Sequence, residues 1–139
     1  MRYINRRLTI EKISVDTIAK KFGTPAYCYS YDKLKDNINN FKKNFRSFSP
    51  LICFAVKSNT NISLLREIKK FGLGADVVSI GEMMVALKAG IKPSKIVFSG
   101  VGKTSNEISY AIEKKILLIN AESQSEIREI ERIAKIKKK

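Results

Sequence analysis

The 139-residue sequence has no histidine, no tryptophan and only two cysteines, and its 13 acidic residues face 27 basic ones. Each shortage excludes something. Without histidine, imidazole acid–base chemistry and histidine metal ligands are excluded for this chain. The cysteines, Cys28 and Cys53, have no metal-ligand spacing. Lying in strand-like segments with no secretory context, they read as buried free thiols in a reducing cytoplasm. No apolar run approaches the length of a membrane span, and the start, Met1-Arg2-Tyr3-Ile4-Asn5-Arg6-Arg7, leads into no apolar core of a signal peptide. Three prolines and seven glycines are scattered, so there is no linker and no low-complexity segment. The scarcity of acids leaves a formal charge of +14. Apart from the tail Lys135-Ile-Lys-Lys-Lys139, the lysines are dispersed, as on solvated helix faces, and not gathered into a nucleic-acid stripe. The expected partners therefore include no nucleic acid and no membrane.

Hydrophobic content is 44%, ordinary for a globular chain. The first pattern predicts a short helix capped by Ser14, with Val15, Ile18, Ala19 and Phe22 as its stripe and Gly23-Thr24-Pro25 as its stop. Ala26-Tyr27-Cys28-Tyr29-Ser30 reads as a strand. A second helix is expected from about Asp32 to Phe45, with Leu34, Ile38, Phe41 and Phe45 packing into a core. Strand candidates then begin near Leu51, Ala75, Lys95 and Ile116, about twenty residues apart, with a helical pattern in each gap and a last helix carrying Ile127, Ile130 and Ile133. This alternation predicts parallel βα units. Four such units make half of an eight-fold βα barrel or a small open sheet with helices on both faces, and periodicity alone leaves both open.

The organising stretch is Leu51-Ile-Cys-Phe-Ala-Val-Lys57-Ser58-Asn59. Six apolar residues run without alternation, as in a strand buried on both faces, and stop at a lysine. Ser58, Asn59 and Asn61 supply turn and helix-start chemistry. Lys57 would stand at the strand's carboxyl end, where α/β folds gather their catalytic groups. Partial desolvation there favours a free amine able to attack a carbonyl, although a lysine that merely snorkels from a strand end has the same pattern.

Other motifs are weighed on the same terms. Gly72-Leu-Gly74-Ala-Asp76-Val77 fails as a dinucleotide fingerprint, because its glycines precede the strand and Val77 holds the third glycine position. Asp76 within an apolar strand needs a partner, and Lys57 on the neighbouring strand is a plausible one. Ser79 and Glu82 form a capping box, as do Ser123 and Glu126. Gly102-Lys103-Thr104 lacks the upstream glycine of a P-loop; its amides and Lys103 are left as an anion-attracting turn.

The spaced pattern Phe54-Ala-Val-Lys57-Ser-Asn59, Leu64-Leu65, Ile68, Gly72 resembles the cofactor-attachment signature of the fold-type III pyridoxal-phosphate-dependent decarboxylases. Phe22-Gly-Thr-Pro25, Asp76-Val-Val-Ser79, Ser99-Gly-Val-Gly-Lys-Thr104 and Asn120-Ala-Glu-Ser123 resemble its diaminopimelate decarboxylase branch, in the right order. The resemblance implies the amino-terminal part, about four βα units, of an alanine-racemase-like (β/α)8 barrel, incomplete. Residues 1–30 would be a lead-in segment associated with a β-domain, and 31–139 the first half of the cofactor-binding barrel. It implies pyridoxal 5'-phosphate held by Lys57 as a Schiff base. Asp76 and Glu82 would lie beside that lysine in support, Asp76 also touching the cofactor. The reaction implied is decarboxylation of meso-diaminopimelate to L-lysine by a cytoplasmic homodimer acting on a small amino acid. Alternatives are an ornithine, arginine or carboxynorspermidine decarboxylase, a racemase on the same barrel, or a non-catalytic basic nucleic-acid-binding module. The family's stacking histidine, phosphate loop, pyridine-binding glutamate strand and β-domain have no counterpart in these residues. The expectation is therefore a fragment of a chain about three times longer, inactive and poorly soluble alone.

Overall fold

A computed structural model describes residues 1–138. It divides into two compact units, Met1–Pro50 and Leu51–Lys139.

The first unit opens with an antiparallel meander that the sequence reading did not anticipate: β1 (Arg2–Ile4), β2 (Arg7–Ile10) and β3 (Ile13–Ser14). Asn5 and Arg6 both have positive φ, as a two-residue hairpin with native twist requires. These strands are too short, and β1 too exposed, to show a clear alternation. Helix α1 (Val15–Phe22) follows, capped by Ser14 and ended by Gly23 at φ 79°, as expected. The strand expected over 26–30 does not form: these residues join no ladder, and a strand without a neighbour has nothing to pair its backbone. Cys28 is accordingly exposed, not buried. Helix α2 (Tyr31–Asn44) has the expected span, but of its apolar stripe only Ile38 is buried. Phe41 and Phe45 stack on each other, ring centroids 4.7 Å apart, and stay over 40% exposed instead of entering a core. Glu11 ties the meander to α2, its Oε1 accepting from Ser30 Oγ and from the Asp32 amide.

The second unit alternates as predicted. Strands β4 (Cys53–Ala55), β5 (Gly74–Val77), β6 (Ile96–Phe98) and β7 (Leu118–Ile119) begin within two residues of the expected starts. Helices α3 (Ile62–Lys70), α4 (Ile80–Lys88) and α5 (Ser105–Lys114) lie between them, and α6 (Gln124–Ile136) follows. All pairings are parallel and the order is β4-β5-β6-β7. A sequential order has no reversal point. With right-handed crossovers every helix then falls on one face, as in a barrel wall, and the doubly wound alternative is out.

Burial alternates accordingly. Ala75, Val77, Ile96 and Phe98 are fully buried, together with Leu65 and Ile68 of α3, Met83 and Ala86 of α4, and Ile108 and Ala111 of α5. Each large side chain among them contributes about 1.5–3 kcal/mol by leaving water. The register row Ala55, Asp76, Val97, Leu118 takes the opposite face, which no described helix covers. Strand β4 is therefore half-buried, not buried on both faces as its unbroken apolar run predicts. Strands β4 and β7 each pair on one side only, and Leu117 and Leu118 are about half exposed. Gly74 marks a close backbone approach: a Cβ there would lie 2.2 Å from the Lys95 carbonyl oxygen and 2.8 Å from Cys53 Sγ. The dispersed charge also has a local reason. All six α-helices among the described residues carry lysine in the last turn, where it complements the helix dipole.

Candidate active site

The carboxyl ends of the four parallel strands bring Lys57, Asp76, Ser99 and Asn120 to one end of one sheet. Lys57 lies in a 3-10 turn, Val56–Ser58, that leaves β4 directly and packs against β5 and α4. Its backbone is held from both sides. Val56 is fully buried, Ser58 Oγ donates to the Ala55 carbonyl (2.7 Å) and the Asn59 amide to the Val56 carbonyl (2.9 Å). Asn61 then caps α3, its Oδ1 accepting from the Ser63 and Leu64 amides. The Lys57 side chain is exposed and forms no ion pair among the described residues. An amine on a rigid turn, uncommitted and at the strand-end rim, suits covalent attachment of a carbonyl group.

Asp76 pairs in register with Ala55, two residues before Lys57. Its hydrogen-bond partner is not Lys57, as the sequence suggests, but Ser99, whose Oγ donates to Oδ1 at 2.6 Å. Ser99 Oγ in turn accepts from Asn120 Nδ2 at 3.0 Å. The carboxylate is tolerated because its face of β5 is uncovered and this hydroxyl serves it. Below it, Cys53 is half-buried, and burial together with the Asp76 charge pushes its thiol up, which makes it unreactive.

Glu82 sits in the first turn of α4. Its amide donates to Ser79 Oγ (3.2 Å) and its Oε2 accepts from the Val78 amide (3.0 Å). The expected capping box is thus displaced by one residue, and the carboxylate locks the turn between β5 and α4. Ser123 and Glu126 repeat the pattern, with Glu126 Oε2 accepting from the Glu122 amide. The reciprocal box is at Thr104 and Glu107. Glu107 also accepts from the Ile80 amide of α4, and the Thr104 and Ile80 amides together hold its carboxyl below the usual carboxylate range.

Lys103 is not an anion-attracting group. Its side chain is 1% exposed, and its ammonium donates to the Gly100 carbonyl (2.5 Å), the Asn120 carbonyl (2.8 Å) and Glu126 Oε1 (3.1 Å). Three donors meet three acceptors, so none remains for a ligand. Gly100 and Gly102, at φ 93° and 73°, let the loop double back so that this lysine reaches inward.

Residues 31–138 match the family model for the pyridoxal-binding domain of pyridoxal-dependent decarboxylases. The chain belongs to that family. A diaminopimelate decarboxylase of Helicobacter pylori is 49% identical over 119 residues, covering 86% of this chain and 29% of that relative. The crystal structure of Helicobacter pylori diaminopimelate decarboxylase complexed with L-lysine superposes with a TM-score of 0.85 at 46% identity, over 88% of this chain and 31% of the other. Diaminopimelate decarboxylase from M. jannaschi gives a TM-score of 0.95 at 34% identity, over 99% of this chain and 33% of the other. The chain thus spans about a third of the length of the relatives it matches, and its four βα units are the amino-terminal part of the family's barrel.

The residues present would fit pyridoxal phosphate: a primary amine at the strand-end rim with no ion pair among the described residues, and the Asp76 carboxylate on the uncovered face of the adjacent strand. The sequence motifs contain Ser99 and Asn120 but assign neither of them, nor Glu107, an individual role. Ser99 and Asn120 stand two residues past Val97 and Leu118, the members of Asp76's register row on β6 and β7, and that row is set by strand pairing and not by any one segment.

Proposed function

We propose that this chain supplies the cofactor-anchoring lysine of a diaminopimelate decarboxylase, which converts meso-diaminopimelate to L-lysine. The observation that carries the reading is Lys57, an exposed amine with no ion pair among the described residues, on a hydrogen-bonded turn at the end of the strand next to that of Asp76, inside a pyridoxal-binding domain. The identities to diaminopimelate decarboxylases and the relative's complex with L-lysine support the substrate.

Pyridoxal phosphate, when bound, supplies the electron sink that accepts the pair left behind as carbon dioxide departs. Lys57 would hold it covalently through Nζ. Asp76, its Oδ1 already served by Ser99, would hold a positive charge near that amine. Glu82 would act as a positioning residue through the Val78 amide, keeping the β5–α4 turn in place. The buried helix-side layer would keep water from that side of the sheet. The protein is proposed to work as a cytoplasmic homodimer, with residues 1–30 leading into a β-domain. No described helix is long and apolar enough to cross a membrane.

The test is borohydride reduction of the complete protein with pyridoxal phosphate, followed by peptide mapping. The pyridoxyl group is expected on Lys57, and turnover of meso-diaminopimelate is expected to exceed that of ornithine and arginine. Label on another lysine, or faster turnover of a different amino acid, would overturn the reading. Chromatographic mass gives the subunit number.

A further inference from the structure

We propose that Ser99 and Asn120 are positioning residues for Asp76: a two-step relay that fixes which oxygen of the carboxylate is left for a cation. This rests on the reading of Lys57 and Asp76 above.

A hydroxyl has one proton to donate. Asn120 Nδ2 donates to Ser99 Oγ at 3.0 Å, so that oxygen is already an acceptor. An ionised carboxylate only accepts, so the Ser99 proton goes to Asp76 Oδ1, at 2.6 Å, the short distance of a charge-assisted O–H···O⁻ bond. No hydrogen bond falls on Asp76 Oδ2 among the described residues. The relay thus satisfies one carboxylate oxygen and leaves the other for a positively charged group.

The relay is built on rigid supports. Asp76 belongs to β5, Ser99 follows β6 and Asn120 follows β7, so it crosses three adjacent strand ends. Asn120 is pinned through its backbone at both ends. Its amide donates to the Phe98 carbonyl (2.9 Å), and its carbonyl accepts from the buried Lys103 ammonium (2.8 Å). The Ser99 amide donates to the Val77 carbonyl at 2.8 Å, which fixes Ser99 two residues beyond Val97, the register partner of Asp76. Lys103 also grips Gly100, the residue after Ser99. A buried lysine with no ligand of its own therefore holds both donors of the relay in register. Loss of one such bond to an ionised group is worth about tenfold in rate when the group acts near the reacting atoms.

The experiment uses the complete enzyme and the variants Ser99→Ala, Ser99→Thr, Asn120→Ala and Ser99→Ala with Asn120→Ala. In Ser99→Ala, borohydride labelling of Lys57 should persist, the visible circular dichroism of the bound cofactor should change, and kcat should fall about tenfold with KM within about twofold. Ser99→Thr, which keeps the hydroxyl, should restore both the spectrum and kcat. Asn120→Ala should lower kcat several-fold. The double variant should be no worse than Ser99→Ala, because the two act as one relay. Wild-type kcat and dichroism in Ser99→Ala would overturn the proposal, and so would additive losses in the double variant. If Ser99→Ala does not fold, Asn120→Ala decides: an unchanged dichroic band and kcat would overturn the proposal. A wild-type enzyme that takes no label on Lys57 would instead bring down the underlying reading of the site.

Discussion

Two lysines stand beyond strand ends on the same side of the same sheet, and they are opposites. Lys57 follows β4 on a tight turn, exposed and without an ion pair among the described residues. Lys103 follows β6 on a loop that glycines fold back, buried, with three acceptors on its ammonium and the Phe98 ring 5.5 Å away. Both sit in motifs that invite a functional reading, and the Gly-Lys-Thr motif is the more familiar of the two. What separates them is the number of uncommitted donors. A lysine whose three protons are satisfied by protein holds a loop together. A lysine whose backbone is fixed and whose amine is free is available for chemistry.

The largest effects would come from exchanging these roles. Lys57→Ala is expected to abolish cofactor attachment and turnover in the complete protein while moving the urea midpoint little, since an exposed substitution usually stays within about 0.5 kcal/mol. Lys103→Met should act on stability instead of cofactor attachment. It leaves Glu126 without its ion-pair partner and is expected to destabilise by about 3 kcal/mol, while labelling of Lys57 survives in the folded fraction. A Lys103→Met protein of wild-type stability that fails to take label on Lys57 would break the comparison.

Gly74→Ala comes next. The added Cβ would overlap the Lys95 carbonyl, which is backbone and cannot step aside, so a loss of about 1–3 kcal/mol is expected in urea denaturation.

Glu107 sharpens the comparison through pH. Amides of Thr104 and Ile80 depress its folded-state value below the ordinary carboxylate value of about 4.3. A depressed carboxylate contributes stability that is fully present above its unfolded value and is lost as pH falls through the folded one. Unfolding measured from pH 6 downward should therefore show stability falling below about pH 4.3, more shallowly in Glu107→Gln than in wild type. Equal slopes would show that the Glu107 link between α4 and α5 contributes nothing. The smallest effect belongs to Glu67→Gln at the surface pair with Lys70, expected below about 1 kcal/mol and screened by salt.

Much of the second unit was legible because its signals are local. Strand starts, the caps at Asn61 and Ser79 and the breaks between units are set by neighbours in sequence. The first unit was less legible. A residue such as Phe41 signals helix by its spacing, but its burial depends on what covers the helix, and here the ring is half exposed. The segment 26–30 has the composition of a strand, yet a strand needs a neighbour to bond. In the site, Lys57 was readable from its position after an apolar run. The partner of Asp76 was misread, because register across strands decides which side chains meet, and register is a property of the pairing and not of either strand.

By itself, the order of residues determined the alternation of strands and helices, the lysine at the end of β4 and the family pattern around it, because each depends on spacing along one segment. Only the tertiary structure decided that the sheet runs in sequential order with one face left uncovered. The same packing buried Lys103 instead of Lys57, and gave Asp76 a hydroxyl instead of an ammonium. Those outcomes turn on distances of a few ångströms between residues some twenty positions apart, where hydrogen-bond strength and desolvation change steeply and sequence spacing carries no measure of either.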